Sequence, residues 1–317
     1  MPIIASDYTP KFIFRNGHIN TIYSSLFRKT KALPFRRKRI ETIDDDFLDI
    51  DFIENGSKKI VILCHGLEGS SSSKYIQATA RLLAANGYAV AAMNYRFCSG
   101  EINRQLVTYH SGRTEDLHSV VNLVLPDYEA VYLVGFSLGG NLVLKYKGDG
   151  VYSMHPKIKA TVAISVPVDL YGSAIELQKP KNLLYTWRFL ITLAKKIKLK
   201  HQQYPDQIDL KQLKRVKRLI DFDEYYTSSL NGFSSARDYY AKANCKQFLG
   251  SIKLPALLIN ALDDPFLSDT CFPYAEAENN KNFSLMTPQY GGHVGFVSFG
   301  EENYWAEHQI LWFLNKY

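Results

Sequence analysis

The chain has 317 residues, 46% hydrophobic and 22% charged, which is the make-up of a globular protein with a sizeable buried core. No apolar run reaches the ~18 residues of a membrane span. The start, MPIIASDYTPKFIFRNGHIN, lacks the basic-then-apolar pattern of a secretory signal. The net charge of +7 is concentrated, since residues 171–250 hold 15 Lys+Arg against 7 Asp+Glu. No nucleic-acid-binding motif accompanies that segment, so its basicity does not imply nucleic acid.

Taken in order, DFLDIDFIE (46–54) alternates like a half-buried strand, and KIVILCHG (59–66) is a continuous apolar run like a strand buried on both faces. SSKYIQATARLLAANG (72–87) has helical spacing and stops at Gly87. YAVAAMNYR (88–96) predicts a strand, 114–125 a helix, 130–136 a strand, 138–147 a helix and 158–166 a strand. Alternation then gives way to helices rich in Lys, Tyr and Leu over 171–250. It resumes with a strand at 255–262, a mixed segment at 268–280, a strand at 282–288 and a helix at 303–317. Such alternation predicts an α/β fold with a mainly parallel sheet covered on both faces. Residues 1–170 and 251–317 form its core, with 1–35 as an N-terminal arm. Residues 171–250 are expected as a helical, basic cap over the C-terminal edge of the strands, where open α/β sheets place their sites. Within the cap, 188–200 and 210–222 read as amphipathic helices, with Leu213, Val216 and Ile220 on one face of the second.

Chemistry concentrates at that edge. AVYLVGFSLGGNLVLKY (130–146) places Ser137 in a G-x-S-x-G turn between an apolar run and an amphipathic helix, the context of a nucleophile elbow. A serine hydroxyl needs a base. His118 and His308 fall on helices and His155 and His201 in loops, whereas His293 lies in YGGHVGF, a glycine-flanked loop after the last predicted strand. The acid is expected after the preceding strand, in NALDDPF. Asp264 is preferred to Asp263 because the residue before a proline is held extended. An oxyanion hole would draw on the backbone N–H of Leu138, directly after the serine, and of Leu67 in the HGLEG loop (65–69). His65, at a strand end, is expected to hold that turn rather than to catalyse.

These residues and their flanks resemble the α/β-hydrolase family 4, or YheT-like group, over nearly the whole chain. The matching motifs are NGHINT (16–21), HGLEGSSSSKY (65–75), MNYRFCSGEIN (93–103), YHSGRTEDL (109–117), GFSLGGN (135–141), NALDDPF (260–266) and GGHVGF (291–296). The resemblance implies an α/β-hydrolase fold, a Ser137–His293–Asp264 triad, and cleavage of short- to medium-chain acyl esters, lipids included, without metal or organic cofactor. Yeast members that make medium-chain esters imply an acyltransferase as the alternative, and a non-catalytic lipid- or partner-binding module is a third reading. One departure is Phe97, where the family usually has glycine in R-G-C-S-G. His18 in NGHINT has no evident chemistry beyond packing the arm. The four cysteines have no metal spacing and read as reduced residues of a cytoplasmic protein. The basic cap stretch 188–222 suggests weak contact with an anionic membrane.

Overall fold

A computed structural model describes residues 2–317. Its strands are β1 (Ile3–Ile4), β2 (Arg36–Glu41), β3 (Phe47–Ile53), β4 (Lys59–Cys64), β5 (Ala89–Asn94), β6 (Ala130–Phe136), β7 (Ile158–Ile164), β8 (Ala256–Ile259) and β9 (Phe283–Met286). They form one sheet in the order β1-β9-β8-β7-β6-β4-β5-β3-β2. β3 runs antiparallel to both β2 and β5, and the other neighbouring pairs are parallel. The helices before β7 are α1 (Gly17–Leu26), α2 (Lys74–Ala85), α3 (Thr114–Val124) and α4 (Leu138–Gly148). Between β7 and β8 come α5 (Leu170–Glu176), α6 (Leu183–Gln203), α7 (Leu219–Phe222), α8 (Ser228–Leu230) and α9 (Ala236–Ala243), and α10 (Tyr274–Asn279) and α11 (Trp305–Leu314) follow β8 and β9 respectively.

The central strands are mainly apolar because both faces are covered. Ile60, Ile62, Leu133 and Leu258 pack with Leu117, Leu142 and Leu144 of α3 and α4. On the opposite face Val61, Leu63, Val134 and Ile259 pack with Ile76, Leu83, Ile310 and Phe313 of α2 and α11. This is the mainly parallel sheet covered on both faces that the alternation predicts, in the α/β-hydrolase arrangement that the resemblance implies. The segment between β7 and β8 is helical, and its own cluster of Leu193, Ile197, Phe222, Tyr226 and Leu230 closes on Phe266 of the sheet-edge loop.

Three local expectations are corrected. β3 is not half-exposed: Asp49 and Asp51 are buried because Arg39 and Arg37 of β2 lie over them at 2.8 Å. β2 itself, RRKRIE, has no apolar alternation and is held by its ladder to β3 and by these ion pairs. Residues 210–222 do not form an amphipathic helix. They divide into a 3₁₀ segment over Leu210–Arg215, an extended Val216 and the single turn α7. Leu213 and Val216 pack in one apolar cluster and Ile220 in another, so tertiary contacts override the helical spacing. His201, expected in a loop, sits in the last turn of α6, with Nδ1 2.8 Å from the Ile208 carbonyl. Cys64, Cys245 and Cys271 are buried, and all four cysteines are free thiols.

Candidate active site

The site is assembled where β6, β8 and β9 end. Ser137 follows β6 and precedes α4, with φ 53° and ψ −119°, a left-handed conformation that turns its side chain out of the sheet. The Ser137 N–H donates to the Ile164 carbonyl at 2.8 Å, which pins the turn to β7. Flanking glycines are required by close approach. A Cβ on Gly139 would lie 2.3 Å from the Cys64 carbonyl oxygen, and one on Gly135 2.2 Å from that of Gly139.

His293 Nε2 stands 2.9 Å from Ser137 Oγ, and its Nδ1 stands 2.9 and 3.1 Å from the Asp264 carboxylate oxygens. Asp264 is 5% exposed and also accepts the N–H of Phe266, whose ring stacks on His293 at 4.1 Å. With Nδ1–H donated to the carboxylate, Nε2 carries the free lone pair that faces the hydroxyl. The three residues are therefore brought together in hydrogen-bonding order.

The neighbouring carboxylate has a different place. Asp263 Oδ1 accepts the N–H of Gly292 at 2.8 Å, bracing the loop that carries His293. Burial, with Asp264 adding to it, pushes the Asp263 carboxyl up to about 6. α1 braces the same loop from outside. The His293 N–H donates to Thr21 Oγ1 at 2.8 Å, and a Cβ on Gly292 (φ +57°) would meet the Gly17 carbonyl oxygen at 2.3 Å. NGHINT thus acquires a physical role that its residue types do not announce. His18 Nδ1 lies 3.1 Å from the Tyr185 hydroxyl, joining α1 to α6.

Leu67 and Leu138 both line the cavity that contains Ser137 and His293, and their N–H groups donate to no atom among the described residues. His65 lies beneath them, fully buried. Its Nδ1–H donates to the Gly66 carbonyl at 2.8 Å, and Nε2 accepts the Tyr95 N–H at 3.3 Å. Burial lowers its pKa to about 3, so it is a neutral strut for the turn.

Two residues not singled out in the sequence hold this loop to the helical insertion. Glu68 sits at φ +57°, with its N–H donated to the Tyr109 hydroxyl at 3.0 Å. Its carboxylate accepts from Tyr109 at 2.6 Å and from Lys196 Nζ of α6 at 2.7 Å. Burial opposes the Lys196 charge, but Cys98 and Glu68 hold its pKa above the usual range. Only the glutamate inside HGLEG hinted at this. Phe97 also lines the cavity, at φ +61°, where glycine is the unstrained choice. The cavity measures about 150 Å³, and its walls are mainly apolar, with Leu170, Leu177, Phe189, Leu193, Phe222 and Phe266 contributing.

The α/β hydrolase fold family matches residues 59–297. YheT of Escherichia coli, an esterase by name, is 32% identical over 99% of this chain and 94% of its own length. The chain belongs to the YheT-like α/β-hydrolases. Phospholipase ABHD3 of Bos taurus is 29% identical over 93% of this chain and 74% of its own. Human monoacylglycerol lipase ABHD2 is 26% identical over 99% and 81% respectively. Among solved structures, a Pyrococcus furiosus esterase superposes with a TM-score of 0.60, covering 92% of this chain and 98% of that one at 18% identity. This hydrolase is accordingly an ester-cleaving enzyme of that fold. No helix among the described residues is long and apolar enough to cross a membrane.

Proposed function

We propose that this enzyme is a serine hydrolase of short- to medium-chain carboxylic esters, lipid esters included, working through an acyl-enzyme on Ser137. The observation that carries the reading is the Ser137–His293–Asp264 chain of hydrogen bonds beside two free N–H groups at an apolar cavity. Ser137 Oγ attacks the acyl carbon while its proton passes to His293 Nε2, and Asp264 accepts from Nδ1–H and stabilises the imidazolium. The N–H groups of Leu67 and Leu138 hold the oxyanion. Collapse expels the alcohol with the proton from Nε2, leaving the acyl group on Oγ. Water then attacks under the same base and releases the acid.

Substrate size follows from the cavity. A comparable dry volume in another protein holds one benzene-sized molecule, which supports a short acyl group as the buried moiety. The names of the phospholipase and monoacylglycerol lipase relatives support lipid esters as the wider class. The residues in contact with the cavity supply acid–base and hydrogen-bonding groups sufficient for this reaction without a cofactor. The test is hydrolysis of a panel of esters graded by acyl length, run on wild type and Ser137→Ala. A shared residual rate in both proteins overturns the reading. The same panel with added alcohol separates hydrolysis from ester synthesis by its products.

A further inference from the structure

The outer face of α6 carries apolar side chains that ester cleavage does not use. Leu184, Trp187 and Ile191 recur at helical spacing and are 67%, 70% and 61% exposed. The opposite face of this helix, with Phe189, Leu193 and Ile197, lines the catalytic cavity. α1 is tied to it by His18 to Tyr185 and by Arg188 Nη1 donating to Ser25 Oγ at 3.3 Å. It adds exposed Ile19, Leu26 and, at its C-terminal cap, Phe27. Single exposed apolar residues are ordinary, but stripes on two joined helices mark an interaction surface.

Charge identifies what would cover it. No Asp or Glu occurs from Tyr8 to Ile40 or from Leu177 to Pro205, while those stretches hold nine and seven Lys or Arg. Lys29, Arg188, Lys195 and Lys198 among them are exposed and pair with no carboxylate among the described residues, whereas Lys179 and Lys181 are taken up by Glu176. A second copy of this face would bring like charges together. An apolar strip with tryptophan and phenylalanine beside the exposed cations Lys29, Arg188, Lys195 and Lys198 instead complements anionic headgroups above hydrocarbon.

We propose that the α1–α6 face docks the hydrolase on an anionic lipid surface, with Trp187 and Phe27 at headgroup level. The contact suggested by the basic stretch 188–222 is thereby moved, because 210–222 is not an amphipathic helix and its Leu213 and Val216 pack inward. Docking sets the cavity about one helix diameter, ~10 Å, from the lipid. This deepens the lipid-ester reading and rests on it for its purpose, while binding itself requires no turnover.

The experiment uses the full chain carrying Ser137→Ala, so that vesicles stay intact, with phosphatidylcholine vesicles with and without phosphatidylglycerol at low and high salt. The expected result is cosedimentation with the anionic vesicles at low salt, weakened by salt as headgroup contacts are screened. A blue shift of tryptophan emission accompanies it and is lost in Trp187→Phe. Trp187→Ala with Phe27→Ala lowers partitioning by about tenfold or more. In chains retaining Ser137, these two changes leave hydrolysis of a water-soluble ester within about twofold. The proposal is overturned by a chain that stays in solution with anionic vesicles at low salt. It is equally overturned by binding that ignores Trp187 and Phe27 but vanishes in Lys214→Glu with Arg215→Glu. Lipid-free self-association abolished by Trp187→Ala would also overturn it, assigning the face to a second copy. A chain that binds vesicles but cleaves no ester contradicts the ester reading and supports the docking face.

Discussion

At the scale of single residues, Asp263 and Asp264 show how position separates like groups. Asp264 faces His293 Nδ1, and Asp263 turns back to the Gly292 N–H. Asp264→Asn is expected to lower kcat about 10⁴-fold, because the imidazole loses its orienting acceptor. Asp263→Asn keeps an oxygen acceptor for Gly292, so its cost in kcat is expected below about tenfold, as for a substitution outside the reacting groups. Its stability effect depends on pH. The Asp263 carboxyl is raised to about 6 in the folded chain, so the folded state binds the extra proton and wild-type stability falls as pH rises from about 4 through 6. Asp263→Asn removes that penalty, and melting temperatures measured from pH 4 to 8 are expected to favour the variant increasingly from pH 4 to 6 and by a constant margin above it. Phe97→Gly relieves the left-handed strain and opens the cavity wall, so kcat/KM across acyl lengths is expected to shift toward longer chains. The hydrogen-bonded chain of Ser137, His293 and Asp264 was legible because turn context and chain order place all three after strands at one sheet edge. Thr21, Glu68 and Lys196 were not, since each acts on a partner more than a hundred residues away or through backbone contact alone.

At the scale of elements, the buried strands β4 to β8 were readable because burial on both faces demands an unbroken apolar run. β2 escaped because its stability comes from pairing with β3 and from arginines lying on that strand's carboxylates. Residues 210–222 misled for the opposite reason, since their apolar spacing matches a helix while the side chains serve two separate clusters. The link between α6 and the loop after β4 is a functional element that periodicity does not reveal. Lys196→Met breaks the ion pair to Glu68 and frees the loop carrying the Leu67 N–H. A misplacement of about 1 Å there costs up to about 10²-fold. Steady-state kinetics on a soluble ester are expected to show that loss in kcat, with KM changed less.

At the scale of the whole molecule, a buried ion cluster explains two further motifs. Arg96 of MNYRFCSGEIN pairs with Asp116 of YHSGRTEDL at 2.7 Å and with Asp44 and Asp46 at 2.7 and 3.0 Å. It joins the loop after β5 to α3 and to the turn before β3. Arg96→Met leaves the buried Asp46 without a cation and Asp44 and Asp116 with Arg113 alone, and is expected to cost about 3–5 kcal/mol in chemical denaturation. Against the effect of burial, hydrogen bonds from Arg96 and Thr42 hold Asp44 down to about 2. Its contribution is therefore present above about pH 4 and lost as pH falls through 2. All these parts serve one proposed event, transfer of an acyl group to Ser137 Oγ. The most direct measurement is treatment of the intact enzyme with a fluorophosphonate and peptide mapping of the modified residue. The Ser137 acyl-enzyme predicts one label, on Ser137, with none taken up by Ser137→Ala or His293→Ala. A label on another serine, or one that persists in Ser137→Ala, would contradict it.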